Sequence, residues 1–268
     1  MLKKSIKSLL KSILPIISSP FTYLYMKIGS NKKYYINEKN LKIPIFVYHN
    51  IVENDNEVVY DYMQTTIKTF KKQMIGLKKF GYHFIDYDDL IEYKNGKKKL
   101  YKNSAIITFD DGYNNIYTKV FPFIQKENIP IATYIIINNM DDENVLTWGN
   151  AKLLDSSPLV TIASHSMNHA DFSKLDTEEA VTNVEKSYNI IEKHLGKKEV
   201  KIFTYPCGLY KEETLNKLSE KGYIQNLTDN KINKSNNLNL HALSRCYPLS
   251  DSTSLIILKI IYRAIRYK

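Results

Sequence analysis

The chain has 268 residues, 43% of them hydrophobic, enough for one sizeable core and so for a single domain with tails. Nine glycines and eight prolines argue against long disordered tracts, and two cysteines, Cys207 and Cys246, are too few for a disulfide framework and fix no compartment. The net charge of +10 is concentrated at the ends: seven lysines and no acid stand in residues 1–37, and Lys259, Arg263, Arg266 and Lys268 follow Asp251 without an acid.

The body between these ends is therefore close to neutral. A groove for nucleic acid would need the basic excess on the body, so nucleic acid is not an expected partner. Basic residues flanking apolar stretches suit an anionic membrane surface instead. Leu2, Ile6, Leu9, Leu10, Ile13, Leu14 and Ile17 recur at helical spacing, with Lys3, Lys4, Lys7 and Lys11 mostly opposite. Pro15 and Pro20 should kink or end this helix. Its longest charge-free stretch, Ser12 to Met26, falls short of the ~20 apolar residues of a membrane-spanning helix. Residues 1–36 read as a basic amphipathic segment, either an interfacial anchor, an atypical signal, or an ordinary packed helix.

Residues 42–252 read as one α/β unit. Apolar runs alternate with helical patterns. Ile43 to His49 is the first run, then Phe70, Met74, Leu77 and Phe80 form a helical stripe that stops at Gly81. Tyr82 to Ile85, Ser104 to Phe109, Ile131 to Ile137 and Leu159 to Ala163 follow as strands. Asp176 with Glu179 three residues on reads as a capping box. The stripe behind it, Val181, Val184, Tyr188, Ile191 and Leu195, ends at Gly196. Ile202 to Tyr205 and Tyr223 to Leu227 are later strands. Nearly continuous apolar strands between amphipathic helices indicate a parallel sheet covered by helices, and about seven such units favour a closed or nearly closed barrel. Residues 253–268 read as a basic amphipathic helix, with Lys259, Arg263 and Arg266 on one face and Leu255, Leu258, Ile261, Tyr262 and Ile265 on the other. That helix either docks on the barrel or contacts a membrane.

In such a barrel, reactive groups gather at the C-terminal ends of strands. Asp110-Asp111, His165, His169, Pro206-Cys207-Gly208 and His49 all fall there. Adjacent strand residues point to opposite faces, so Asp110 and Asp111 can share a site only if the strand ends and the chain turns, which Gly112 permits. Two carboxylates this close repel unless a cation or proton intervenes. His165 and His169, four residues apart, would share one side of a helical turn. One Asp and two His form a zinc-type shell with open positions. Each motif alone is weak, and their conjunction at equivalent strand ends carries the reading.

Thr108-Phe109-Asp110-Asp111-Gly112-Tyr113 and His165-Ser166-Met167-Asn168-His169 resemble the first two motifs of the polysaccharide deacetylases, the NodB-homology enzymes of carbohydrate esterase family 4. Tyr205-Pro206-Cys207-Gly208 resembles the third, and Val47-Tyr48-His49 with Phe70, Leu77, Gly81 and Tyr82 resembles the opening of one branch. Thr147-Trp148 is similar to the family's approach to the histidines. The resemblance spans roughly Ile43 to Pro248. It implies a distorted (β/α) barrel of about seven parallel strands. It also implies a hydrolase that removes N-acetyl groups from N-acetylhexosamine units of a cell-envelope polysaccharide, releasing acetate. Asp110 would be the general base, and Asp111, His165 and His169 would hold a divalent metal, most often Zn2+. The backbone N–H of Cys207 would meet the oxyanion. Thr204 stands where the family commonly has an arginine, and Arg245 could replace that group beside Asp110. No Asp-Trp fourth motif is visible. Leu240-His241 is the candidate for the fifth, with His241 as general acid, and His49 could contribute in its place. A lipid-linked amino sugar, an O-acetyl ester, or a catalytically silent glycan-binding role are the alternatives. With basic amphipathic ends, the expected location is membrane-associated in the cell envelope.

Overall fold

The computed structural model describes residues 41–266, and the segment 1–36 read as a membrane anchor or signal lies outside them. Seven parallel strands form the ring: β1 (Ile45–Tyr48), β2 (Ser104–Phe109), β3 (Ile131–Ile135), β4 (Val160–Ser164), β5 (Ile202–Thr204), β6 (Ile224–Leu227) and β7 (Leu243–Ser244). They are ordered β7-β6-β5-β4-β3-β2-β1. The ring closes just past β7, where the Val47 amide donates to the Cys246 carbonyl (3.0 Å) and the Cys246 amide to the Ile45 carbonyl (2.9 Å).

Alternation along these strands separates two cores. Ile45, Ile106, Ala132, Tyr134, Ala163, Ile202, Ile224 and Leu243 supply one buried cluster with a member from every strand, and so fill the barrel interior. Phe46, Tyr48, Ile107, Phe109, Ile131 and Ile162 point the other way and pack with helical side chains. The outer layer is built by α1 (Ile67–Lys79), α2 (Tyr87–Lys94), α3 (Phe121–Glu127), α4 (Trp148–Asp155), α5 (Thr177–Leu195), α6 (Glu212–Glu220) and α7 (Thr253–Arg266).

The expected elements form, with local differences that have physical causes. The Ile43–His49 run is split at Pro44: Lys42–Ile43 pairs antiparallel with Asn233–Lys234, and only Ile45–Tyr48 joins the barrel. Pro44 has no N–H to continue the ladder. The strand expected to reach Ile137 stops at Ile135, because the amide of Ile137 leaves the sheet to donate to the Ser166 carbonyl (3.2 Å). Asp176 caps α5 by accepting from the amide of Glu178.

α7 presents a different face from the one its pattern suggests. Ile256, Ile257, Ile260 and Ala264 are buried, while Tyr262 is exposed. The helix is apolar almost all round, so polar partners decide its rotation: Lys259 pairs with Asp251, and Arg263 donates to Asn230 Oδ1 (3.4 Å). Those two cations are engaged within the fold. Close docking of α7 on α1 depends on Gly76, where an added Cβ would lie 2.0 Å from Thr253 Oγ1. Buried Gln73 ties the same region to the barrel: it accepts from the Tyr48 hydroxyl (2.8 Å) and donates to the carbonyls of Leu249 and Asp251 (both 2.9 Å). No helix among the described residues is long and apolar enough to cross a membrane.

Candidate metal centre

Above the apolar layer, the barrel interior turns polar. Thr108, Thr204, Asn226 and Arg245 are fully buried there with Tyr134. The Tyr87 hydroxyl meets both Tyr134 Oη (2.5 Å) and Asn226 Oδ1 (2.8 Å), and Asn226 Nδ2 donates back to Tyr134 (3.0 Å). The tyrosine hydroxyls and the Asn226 amide satisfy one another, which stiffens this layer, while Arg245 Nε is left without a partner.

Asp110 rests on this layer. It follows Ile106 and Thr108 on the inward side of β2, and its amide donates to the Tyr48 carbonyl (2.9 Å). Arg245, two residues beyond Leu243 in the same alternation, aims its guanidinium at it. Nη1 donates to Oδ1 (2.6 Å) and Nη2 to Oδ2 (2.8 Å). The guanidinium also reaches Thr108 Oγ1 (3.3 Å) and Thr228 Oγ1 (3.0 Å), and lies 5.3 Å from the centroid of the Tyr134 ring. Burial by itself would raise the Asp110 pKa. The charge of Arg245, aided by His165 and His49, more than offsets it and holds the carboxyl at about 2. Burial works against the charge of Arg245 as well, and Asp110 turns that balance so that its pKa rises above the ordinary arginine value.

The strand ends at Phe109, and the chain turns one residue before the expected glycine. Asp111 itself is left-handed (φ 69°), followed by Gly112 (φ 73°). A side chain at 112 would also press on Ile135 Cγ2 at 3.1 Å, so only glycine fits. This turn brings Asp111 to the same side as Asp110. Asp111 Oδ1 lies 3.5 Å from His165 Nε2 and 3.7 Å from His169 Nε2.

The histidines are not on a helical turn, as their spacing suggested. They flank a tight turn with Ser166 and His169 left-handed (φ 76° and 54°). Two serines and an asparagine pin it: the Ser166 amide donates to Ser164 Oγ (3.0 Å), the His169 amide to Ser166 Oγ (2.9 Å), and the Met167 amide to Asn183 Oδ1 (2.9 Å). His165 is buried, and its Nδ1 donates to the Thr204 carbonyl (2.9 Å). A carbonyl can only accept, so Nε2 keeps its lone pair for a metal. The His169 side chain is 37% exposed.

These three residues fit a divalent cation. Their ligand atoms all lie within 4.8 Å of one another, and Asp111 Oδ1 is buried without a hydrogen-bond partner. Tetrahedral bonds of about 2.0–2.2 Å would set neighbouring ligand atoms about 3.3–3.6 Å apart, close to the separations found. Burial lowers the pKa of His165 to about 4 and lowers that of His169, so both rings are neutral near pH 7. Burial raises Asp111 to about 6, with His49 acting against it and Asp110 with it. An acid with raised pKa between two neutral imidazoles is a donor set that suits a divalent cation.

The other sequence candidates divide. His49 comes to the site: its Nε2 is 3.9 Å from Asp110 Oδ2, its buried Nδ1 has no partner, and its ring lies parallel to Tyr247 at 5.9 Å. Cys207 occupies a left-handed turn after β5 (φ 54°, ψ 8°) at the same end of the barrel. His241 does not come to the site. It precedes β7, and its Nδ1 donates to the carbonyl of Tyr223, the residue before β6, at 2.7 Å. That places it at the N-terminal ends of the strands, opposite the metal ligands, and rules it out as an acid at this centre. Tyr247 was missed by the sequence reading. Its phenol, pushed up to about 12 by burial and then by Asp110, also feels Arg245, Cys207 and Asp111. The alternation Leu243, Arg245, Tyr247 was the available signal.

Comparison with known proteins agrees with this geometry. The family model described as polysaccharide deacetylase matches residues 97–225. The Bacillus subtilis protein named "Putative polysaccharide deacetylase YxkH" is 25% identical over 208 residues, covering 78% of this chain and 72% of its own. The poly-β-1,6-N-acetyl-D-glucosamine N-deacetylase of Staphylococcus epidermidis is 25% identical over 232 residues, covering 76% of this chain and 78% of its own. Among solved structures, the Streptococcus pyogenes deacetylase PplD in complex with acetate shares the fold with a TM-score of 0.73 at 22% identity, over 82% of this chain and 98% of that one. The barrel, the paired aspartates and the histidine turn thus stand in a chain whose residues 97–225 match the polysaccharide deacetylase family and whose fold is that of the deacetylase structures.

Proposed function

We propose that this chain is a metal-dependent N-deacetylase acting on N-acetylhexosamine units of a cell-envelope polysaccharide. The observation that carries the reading is the orphaned Asp111 oxygen between two imidazoles, 3.5 and 3.7 Å away, beside a separate carboxylate held ionised by Arg245. The relative from Staphylococcus epidermidis is named for N-deacetylation of a β-1,6-linked N-acetylglucosamine polymer, and the Streptococcus pyogenes structure is a deacetylase holding acetate, the co-product of such a reaction.

Asp111, His165 and His169 would hold a divalent cation, most often zinc for this donor set, which would supply a Lewis acid for the amide carbonyl and acidify a water. The remaining work falls to the chain. Asp110 receives the proton of the attacking water. Arg245 fixes both its oxygens, which orients it and keeps it deprotonated, but also makes it a weak base. It can therefore serve only a proton that has already been made acidic. The amide of Cys207 meets the developing oxyanion. With His241 at the far end, His49 is the imidazole nearest Asp110 among the described residues, and it passes a proton to the leaving amine. Amide plus water gives amine plus acetate, in balance.

The membrane attachment proposed for residues 1–36 rests on their run of lysines without acids. Its test is sedimentation with anionic vesicles of the full chain and of a chain lacking residues 1–30. Equal binding would remove the anchor. The test of the activity is metal analysis coupled to acetate release from β-1,6-linked and β-1,4-linked N-acetylglucosamine oligomers. One metal per chain with acetate release supports the reading. Stoichiometric metal with glycan binding and no acetate would make the chain a silent binder.

A further inference from the structure

The segment 53–63 joins Asn50–Val52 to Gln64–Thr66 beside the mouth of the barrel. It carries Val59, Tyr60 and Tyr62 as exposed large side chains, the two tyrosines 57% and 48% accessible. Yet the backbone beneath them is held. The amides of Met63 and Gln64 donate to the Tyr60 carbonyl (2.9 and 2.8 Å), and the Tyr60 amide donates to Gln64 Oε1 (2.9 Å). The rings are thus presented in set positions.

They also form a series leading inward. Tyr60 and Tyr62 lie 5.7 Å apart at 35°, and Tyr62 meets Tyr247 edge-on at 6.4 Å. Tyr247 lies parallel to His49 at 5.9 Å, and His49 Nε2 is 3.9 Å from Asp110. From the carboxylate outward, ring follows ring to solvent. Nothing in the packing of the core requires two exposed tyrosines at its outer end.

We propose that Tyr60, Tyr62 and Tyr247 form a stacking path for the sugar units next to the one being deacetylated, so that the site selects oligomers over single sugars. This rests on the deacetylase reading and adds the residues that set substrate length. A pyranose offers a face of C–H groups that packs on an aromatic ring by dispersion, while its hydroxyls stay hydrated. Tyrosine suits this use, being large, rigid and amphipathic at small entropic cost. An anionic lipid surface is a poorer occupant. Between Glu53 and Asp61 the segment carries Glu53, Asp55, Glu57 and Asp61 and no basic residue, and like charge repels. A neutral glycan meets no such penalty.

The test compares the metal-loaded full chain with Y60A/Y62A and Y60F/Y62F. The readout is the ratio of kcat/KM for a β-1,6-linked N-acetylglucosamine pentamer to that for the monomer. The wild-type ratio should exceed one, fall about tenfold in the alanine pair, and return to within about twofold in the phenylalanine pair, since the ring and not the hydroxyl acts. A wild-type ratio of one, or an alanine pair within twofold of wild type, overturns the proposal. Calorimetric titration with the pentamer reads the same contact without turnover, with Kd rising about tenfold in the alanine pair. If no acetate is released by any form but this shift in Kd is seen, the deacetylase reading fails and the stacking path stands. If the alanine pair loses binding to phosphatidylglycerol vesicles and keeps the pentamer ratio, the segment is a lipid contact and the path is wrong.

Discussion

Arg245 grips Asp110 across 135 positions of sequence, with both guanidinium nitrogens on both carboxylate oxygens. The pair is fully desolvated, so its members depend on each other. Removing one partner leaves a buried charge, a loss of about 3–5 kcal/mol. R245A is expected to lose stability on that scale in urea unfolding. R245K keeps the charge without the fork, and with the base misoriented kcat should fall about 10²-fold while the fold survives. An R245K enzyme at wild-type kcat would remove the orienting role.

The same pair gives a sign to acid stability. The folded pKa of Asp110, at about 2, lies below the ordinary value of 3.8. Its stabilisation is therefore complete above about pH 4 and is lost as pH falls through about 2. Against wild type, D110N should show a flatter dependence of unfolding free energy on pH between about 4 and 2. Parallel curves in that window would contradict the pairing.

Metal and base should separate by mutation. D110N removes the proton acceptor but none of the three ligands. It should keep its metal and lose about 10²–10⁴-fold in kcat. H165A removes a buried ligand and should come off a desalting column without metal. A fully loaded H165A protein would mean the cation is held elsewhere.

Two histidines should behave in opposite ways. H241A alters a ring hydrogen-bonded to Tyr223 at the far end of the barrel, and should keep kcat/KM within about twofold. H49A removes the ring beside Asp110, and should lower kcat on unactivated amides more than on a substrate with a good leaving group, which needs no protonation. Equal losses on both substrates would sink the assignment of His49 as acid.

The cysteines should report their surroundings to a thiol reagent. Cys246 is fully buried, and its thiol is pushed up to about 11, first by burial. Cys207 is exposed. At pH 8 the native chain should take one label, on Cys207, and a second only after denaturation, read by peptide mass. A native double label would mean the barrel seam at Cys246 opens.

Much of this centre was legible because its parts sit at strand ends, where alternation and a following glycine are visible in sequence. Asp110, Asp111, His165 and His169 were found that way, and so was the parallel barrel. What stayed hidden depended on three-dimensional partners. The histidine turn looked helical because i, i+4 spacing does not reveal left-handed backbone at Ser166 and His169. His241 looked suitable because a Leu-His pair carries no sign of which end of a strand it borders. The rotation of α7 was hidden by its nearly uniform apolar sequence, and was decided by Asp251 and Asn230. Tyr247 went unseen since a tyrosine in a chain of 21 has no mark until His49 lies against it.

The seam between Val47 and Cys246 has a bearing on how the protein is made. The three candidate metal ligands all emerge before residue 170, yet the guanidinium that locks Asp110 and the peptide that zips the ring shut come only at Arg245 and Cys246. A nascent chain halted before Arg245 would carry the ion-binding trio with an unescorted carboxylate and an open edge. Competence therefore arrives abruptly, once Arg245 and Cys246 are in place, and not by degrees.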